Sequence, residues 1–280
     1  MTPPLNHVLL VTCPDRPGLI HTITGVLLRH GVNVISNDEF VDRDLQQFVM
    51  RSEFVGGEDA SALRQDVQAA LPEASVVVSG FARPRIVVLA SHEPHCLGEL
   101  LLRQVNGELG ATIQGVVSNR PALRRLTERF DIAFHCVPHG DLTREAHEEG
   151  LGRELDRFNP DYLVLAKYMR ILSPGFVERY AGRIVNIHHS FLPAFAGANP
   201  YRQAFARGVK IIGATAHFVT AALDEGPIIA QDVVPVDHSY RANEMAQAGR
   251  DVEKIVLAKA LKLLFENRVF VMGNRTIVFD

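Results

Sequence analysis

Residues 185–193 read Val-Asn-Ile-His-His-Ser-Phe-Leu-Pro. The run begins as a buried strand and stops in a polar turn just before Pro193. Side chains two apart on a strand project from the same face, so Asn186 and His188 emerge side by side at the strand's carboxyl end. Open α/β sheets bind their ligands at that end. A carboxamide donor beside a titratable imidazole suits a site that holds a carbonyl oxygen while negative charge builds on it. The stretch therefore predicts an open sheet with a ligand site at its carboxyl edge, and carbonyl-directed chemistry there.

A chain of 280 residues is long enough for two domains. Its 47% hydrophobic and 22% charged residues are the composition of an ordinary globular protein. A net charge of −3 gives no basic footprint for nucleic acid, and no run approaches a transmembrane span. The apolar strip after residues 1–6 is broken by Cys13, Pro14 and Asp15, which argues against a signal peptide. Cys13, Cys96 and Cys136 are odd in number, widely spaced and without a CxxC pair. That pattern favours reduced thiols and a cytoplasmic location. The sequence thus predicts neither a nucleic-acid nor a membrane partner.

The N-terminal part has its own rhythm. Residues 7–12 form an apolar run followed by the strong turn Cys-Pro-Asp-Arg-Pro-Gly. Leu19, Ile20, Ile23, Val26 and Leu27 have helical spacing over residues 19–29, and Gly31 stops that helix. Strands follow over 32–41 and 46–54, then a helix over 61–71 and a strand over 75–79. The order β-α-β-β-α-β is the ferredoxin-like pattern. Joined to Asp15-Arg16-Pro17-Gly18 at the first strand-to-helix turn and Gly31-Val32-Asn33 at the second strand, it resembles the ACT domain, a small-molecule-sensing module. The resemblance implies an effector site at Asp15, Arg16, Gly18 and Asn33, amino acids such as glycine and methionine as effectors, and a homo-oligomer formed through this domain.

After a short linker over 80–85 the pattern changes to strands alternating with longer helices, which implies βαβ units and a largely parallel sheet. Strands are predicted over 86–90, 113–118, 132–135, 162–166, 183–188, 211–219 and 228–236. Helices are predicted over 97–109, 122–129, 143–158 and 242–265, and a hairpin around Gly273-Asn274 closes the chain. The boundaries divide the protein into a regulatory domain over 1–82 and a catalytic domain over 83–280. No Gly-x-Gly-x-x-Gly follows the 86–90 strand, where Ser91-His92-Glu93-Pro94-His95 stands instead, so a nicotinamide cofactor is excluded. The twelve histidines form no helical ligand pair of the kind zinc sites use, and no metal is expected.

Leu223-Asp224-Glu225-Gly226-Pro227 taken alone is ordinary turn chemistry. Between two long strands, its carboxylate can fold back over the sheet toward His188, where it favours the imidazolium and orients or deprotonates a water. Asn186-Ile-His188-x-Ser190-x-Leu192-Pro193 together with Asp224-Glu-Gly-Pro resembles the tetrahydrofolate-dependent formyltransferase domain. The resemblance covers residue 85 onward and implies a Rossmann-like fold with Asn186, His188 and Asp224 as the catalytic trio. Met169, Arg170, Ile171, Leu172 and Gly226 would contact the folate, with Tyr168–Ser173 lining the pterin pocket.

Transferases of that family commonly carry Pro after the catalytic His, whereas this chain has His189. With the fused N-terminal module, that departure makes the whole chain resemble the formyltetrahydrofolate deformylases. The resemblance implies hydrolysis of 10-formyltetrahydrofolate with no permanently bound cofactor, supplying formate for purine synthesis and balancing one-carbon pools. A formyltransferase acting on a small amine, or a non-catalytic folate or amino-acid sensor, are the alternative readings. Asn199, Arg202 and Arg120 depart from the residues expected at their positions, and none belongs to the trio.

Overall fold

The structure, a computed structural model, describes residues 6–57, 59–80, 82–194 and 200–280. Two compact units emerge: Met1–Ala82 with Glu266–Phe270 and Ile277–Asp280, and Arg83–Phe265 with Val271–Thr276.

The first unit runs β1 (Asn6–Pro14), α1 (Leu19–Arg29), β2 (Asn33–Asp42), β3 (Gln47–Val55), α2 (Ala60–Ala70) and β4 (Ser75–Gly80). Its sheet has the order β2-β3-β1-β4, and every strand pair is antiparallel. The ferredoxin-like ACT arrangement read from the sequence is the one observed. Gly18 opens α1 in the left-handed region (φ 88), and Leu19, Ile23, Val26 and Leu27 form its buried stripe. Asp59 caps α2 by accepting from the backbone N–H groups of Ser61 and Ala62. These helices close over Leu9, Val11, Phe48, Met50 and Phe54 on the inner face of the sheet. Arg51 is fully buried in the same unit and donates to the Glu266 carbonyl at 3.2 and 3.3 Å, tying down the chain's return.

The second unit begins with β5 (Arg85–Ala90), α3 (His95–Val105), β6 (Thr112–Ser118), α4 (Arg124–Glu128), β7 (Phe134–Cys136), α5 (Arg144–Phe158) and β8 (Tyr162–Leu165). It continues with α6 (Pro174–Arg179), β9 (Ile184–His188), α7 (Pro200–Arg207), β10 (Ile211–Phe218), β11 (Ile228–Pro235) and α8 (Ala242–Phe265). The hairpin β12 (Val269–Met272) and β13 (Arg275–Val278) follows. The seven-stranded sheet has the order β11-β10-β9-β8-β5-β6-β7. Strands from β9 to β7 pair in parallel, and β10 and β11 add antiparallel strands at one side. The Rossmann-like, largely parallel architecture follows from this order. Among the described residues, no helix is long and apolar enough to cross a membrane.

Some elements depart from the sequence pattern for local reasons. The helix expected over 97–109 ends at Val105, because Gly107 and Gly110 take positive φ values of 75 and 73. The strand expected to start at residue 132 starts at Phe134, after Asp131 passes through φ 54. Helices α6 and α7, at six and eight residues, are too short to show a period in the sequence. What capping shows for α6 is plain enough, with Ser173 accepting from Phe176 N and Pro174 at the first turn.

The order in which parallel strands are added reverses at β5, since the chain continues from β5 to β6 on one side and later returns to place β8 on the other. Ligands of open α/β sheets bind beyond the carboxyl ends of the strands at such a point. Beyond their first residues the central strands there are buried: Leu89 is 0% exposed, whereas Leu102 on α3 is 54% exposed. Leu89→Ala should therefore cost about 2–5 kcal/mol. Leu102→Ala should stay within about 0.5 kcal/mol. Urea unfolding of both variants checks this, and equal losses would contradict it.

Candidate active site

The register between β9 and β10 assembles the site. Asn186 lies opposite His217 and His188 opposite Thr215. His217 is buried, and its Nδ1 sits 2.8 Å from the Phe218 carbonyl. A carbonyl only accepts, so Nδ1 carries the proton and Nε2 is left as an acceptor. Asn186 Nδ2 lies 3.2 Å from that Nε2 and donates to it. This orients the carboxamide. Burial lowers the pKa of His217, so it serves as a neutral acceptor.

His188 is buried at the end of β9, and its Nδ1 lies 3.3 Å from Asp224 Oδ2. The interaction with His188 is the main cause holding the Asp224 carboxyl below its usual range, ahead of the opposing effect of burial. Asp224 is therefore ionised at neutral pH. Nε2 of His188, on the other side of the ring, has no hydrogen-bond partner among the described residues. The turn that follows is pinned from β10 and β11. Thr215 donates to the Ser190 carbonyl at 2.8 Å. Gln231 reaches Thr215 Oγ1 and the Leu192 carbonyl at 2.9 and 3.1 Å.

Asp224 itself takes a left-handed conformation, φ 57, which Asp tolerates better than most residues. Gly226 then packs against β10 so closely that a Cβ would lie 1.8 Å from the Phe218 carbonyl oxygen. Asn274 donates to the Glu225 carbonyl at 2.9 Å and buttresses the same loop.

Asn186, His188 and Asp224 line one cavity of about 580 Å³ together with Met169, Arg170, Ile171 and Leu172. Gly226 is not among the lining residues; what the structure gives it is the close approach to Phe218. Met169 and Ile171 are 53% and 55% exposed, and exposed apolar side chains at a cavity mark a binding surface. Their loop is anchored at both ends. Met169 N donates to Ser91 Oγ at 2.9 Å, and Ser91 in turn donates to Asn119 Oδ1 at 2.7 Å. Ser173 donates through its backbone N–H and its hydroxyl to the carboxylate of Glu148.

Four further residues of the same cavity carry no sequence signal, Lys167, Tyr201, His217 and Glu253, and His189, the departure from the transferase pattern, also lines it. Glu253 Oε2 lies 2.7 Å from His95 Nε2 and 3.1 Å from Lys167 Nζ, and its Oε1 accepts from Tyr201 Oη at 2.5 Å. Burial opposes ionisation of Glu253, but those three partners overcome it and pull the carboxyl down to about 2. His95, Cys96 and Glu253 cluster closely enough to ligate an ion. The Lys167 ammonium already sits on that carboxylate, and burial raises the Cys96 thiol well above its usual range. The donor set therefore suits an ion-pair network better than a metal, which needs deprotonated ligands.

In the first unit, Asp15 and Arg16 lie exposed in the turn before Gly18, and Arg16 pairs with Glu73 at 3.2 Å. Asn33 opens β2, in register with Val55. Asn199 lies outside the described residues, Arg202 falls on α7, and Arg120 leads into the short helical turn before α4.

Comparison with known proteins agrees with this layout. Residues 84–261 match the Formyl transferase family and residues 7–71 the ACT domain. Formyltetrahydrofolate deformylase of Escherichia coli (strain K12) is 53% identical over 274 residues, covering 98% of each chain. The chain belongs to the formyltetrahydrofolate deformylase family. The crystal structure of the deformylase from Pseudomonas syringae pv. tomato superposes with a TM-score of 0.96 at 39% identity, over 100% of this chain and 96% of the other. Glycinamide ribonucleotide transformylase 1 from Symbiobacterium toebii gives a TM-score of 0.68 at 31% identity, over 74% of this chain and 98% of the other.

The close approach at Gly226 yields a direct check. Gly226→Ala should destabilise the protein by about 1–3 kcal/mol or more by forcing backbone apart, and should lower turnover by displacing Asp224. Gly98→Ala on α3, where a Cβ would meet nothing within 4 Å, should be neutral or stabilising by up to about 1 kcal/mol. Paired urea unfolding and rate measurements separate the two.

Proposed function

We propose that Asn186, His188 and Asp224 carry out the hydrolysis of 10-formyltetrahydrofolate to tetrahydrofolate and formate. The observation that carries this reading is the Asp224 carboxylate 3.3 Å from His188 Nδ1, with Asn186 two residues before His188 on the same strand. Asp224 orients a water and takes its proton, directly or through His188. The water oxygen adds to the formyl carbon, and the carbonyl oxygen becomes an oxyanion. Asn186 donates its second Nδ2 hydrogen to that oxyanion, and His188 donates from Nε2 when its ring carries both protons. Donors placed where charge develops are commonly the largest single contribution to such catalysis. The intermediate collapses with cleavage of the bond to N10, which receives a proton as formate leaves. The substrate is the folate, and the chemistry asks for no permanently bound cofactor. The loop Met169–Leu172 holds the pterin, and Gly226 serves through the shape of the Asp224 loop.

The formyltransferase reading draws on the likeness to the transformylase structure. Against it, Glu253, the buried carboxylate of the cavity, has both oxygens engaged by protein groups. Three protein donors already fill most of its hydrogen-bonding capacity.

In this reading residues 1–82 form a regulatory domain and residues 83–280 the catalytic domain of a cytoplasmic enzyme. Asp15, Arg16, Gly18 and Asn33 form an effector site for an amino acid such as glycine or methionine, at a junction between two copies of the chain. Irreversible loss of formyl groups gives such control a purpose.

Asp224→Asn should lower turnover by about 100-fold to 10,000-fold while folate binding, measured by fluorescence titration, is retained. A variant keeping a tenth of the activity would remove Asp224 from the role of base. Glycine or methionine should shift the substrate dependence of the full-length enzyme by about 5-fold to 150-fold, and Arg16→Ala should abolish that shift. An unchanged response in Arg16→Ala would remove the turn from the effector site.

A further inference from the structure

The groups around Glu253 take no part in the chemistry above, yet the fold goes to unusual lengths to put them on the wall of the same cavity. Glu253 is 0% exposed and Lys167 5% exposed, and burying two charges is costly unless each is well partnered. Lys167 also takes a left-handed backbone, φ 63, a conformation unfavourable for a residue with a long side chain and one that tends to persist where function requires it. Tyr201 is seated with equal care. A Cβ at Gly249 on α8 would lie 2.2 Å from its ring and hydroxyl, so only glycine lets the ring settle against the helix and reach Glu253.

This network is continuous with the trio. The ring centroids of His188 and His189 are 5.0 Å apart, and those of His189 and Tyr201 6.2 Å apart. Burial, with the Lys167 charge adding to it, lowers His189 to about 4, so a neutral ring fills the space between. The Tyr201 ring and Lys167 both line the cavity that Asn186, His188 and Asp224 line. Glu253, which could otherwise hold an amine, is already engaged by His95, Lys167 and Tyr201.

We propose that Lys167, Tyr201 and Glu253 form a plug that excludes amine acceptors from the formyl carbon and leaves room for water, making them specificity-determining residues of this enzyme. The proposal rests on the hydrolytic reading given above. Opening the plug admits a small primary amine. Its nitrogen adds to the formyl carbon, the bond to N10 breaks, and N10 gains the proton that the amine loses, so no further reactant is needed.

The test uses the full-length enzyme, 10-formyltetrahydrofolate and an excess of glycinamide, with formate and N-formylglycinamide quantified by mass spectrometry. Lys167→Gly suits the left-handed backbone and removes the ammonium, and Tyr201→Ala removes the ring. The ratio of the two products is independent of how much enzyme is folded. Wild type should give formate with at most a trace of N-formylglycinamide, and each variant should raise the N-formylglycinamide to formate ratio to about 10-fold or more above that trace level. A ratio unchanged from wild type in both variants would overturn the plug. So would loss of all turnover in both when their urea midpoints match wild type, because it would place these residues in the chemistry. Failure of the hydrolytic reading shows separately, as absence of formate from wild type without any amine.

Discussion

The site depends on bringing the Asp224 carboxylate to the imidazole of His188 from a different part of the chain. The parallel strands cannot do this, because they end at the cavity and turn away into helices. The antiparallel pair β10–β11 supplies the return path. Its connecting loop must fold tightly back, through a left-handed Asp224 and through Gly226 pressed against the Phe218 carbonyl. Asn274 fixes the loop from the C-terminal hairpin, and Thr215 and Gln231 fix the turn after His188. Together these contacts fix the two backbone segments and hold the 3.3 Å approach of carboxylate to imidazole.

Electrostatics follow from that geometry. Two histidines beside the trio, His217 and His189, are lowered in pKa chiefly by burial. They act as neutral structural groups, one accepting from Asn186 and one filling space. The ionised Asp224 is thus the charge available to His188 and to a bound water. Lys167 and Glu253 cancel each other in the same wall. They add a polar surface without competing for the proton chemistry.

Much of this was legible in the sequence because the responsible signals are local. The β-α-β-β-α-β order showed in alternating periods, and the apolar spacing of α8 reproduced both of its ends. Asn186 and His188 were visible because two residues apart on a strand means one face, and the Asp224-Glu-Gly-Pro turn gave the carboxylate. What stayed hidden is long-range. Lys167 follows β8, Tyr201 begins α7 and Glu253 lies within α8, so no spacing connects them. His217 reads as one more residue of a buried strand until the β9–β10 register sets it against Asn186. The short helices α6 and α7 lack the length for a period, and the role of Gly226 lies in a contact with β10 that its turn motif does not announce.

The central claim is that water, activated at Asp224, is the acceptor of the formyl group. It is tested most directly by running the reaction in water enriched in heavy oxygen, without any amine, and weighing the formate. The account predicts formate carrying one solvent oxygen, formed mole for mole with tetrahydrofolate by the wild-type enzyme, with the enzymatic yield lost in Asp224→Asn. Formate without solvent oxygen, or undiminished labelled formate from the Asp224→Asn enzyme, would contradict it.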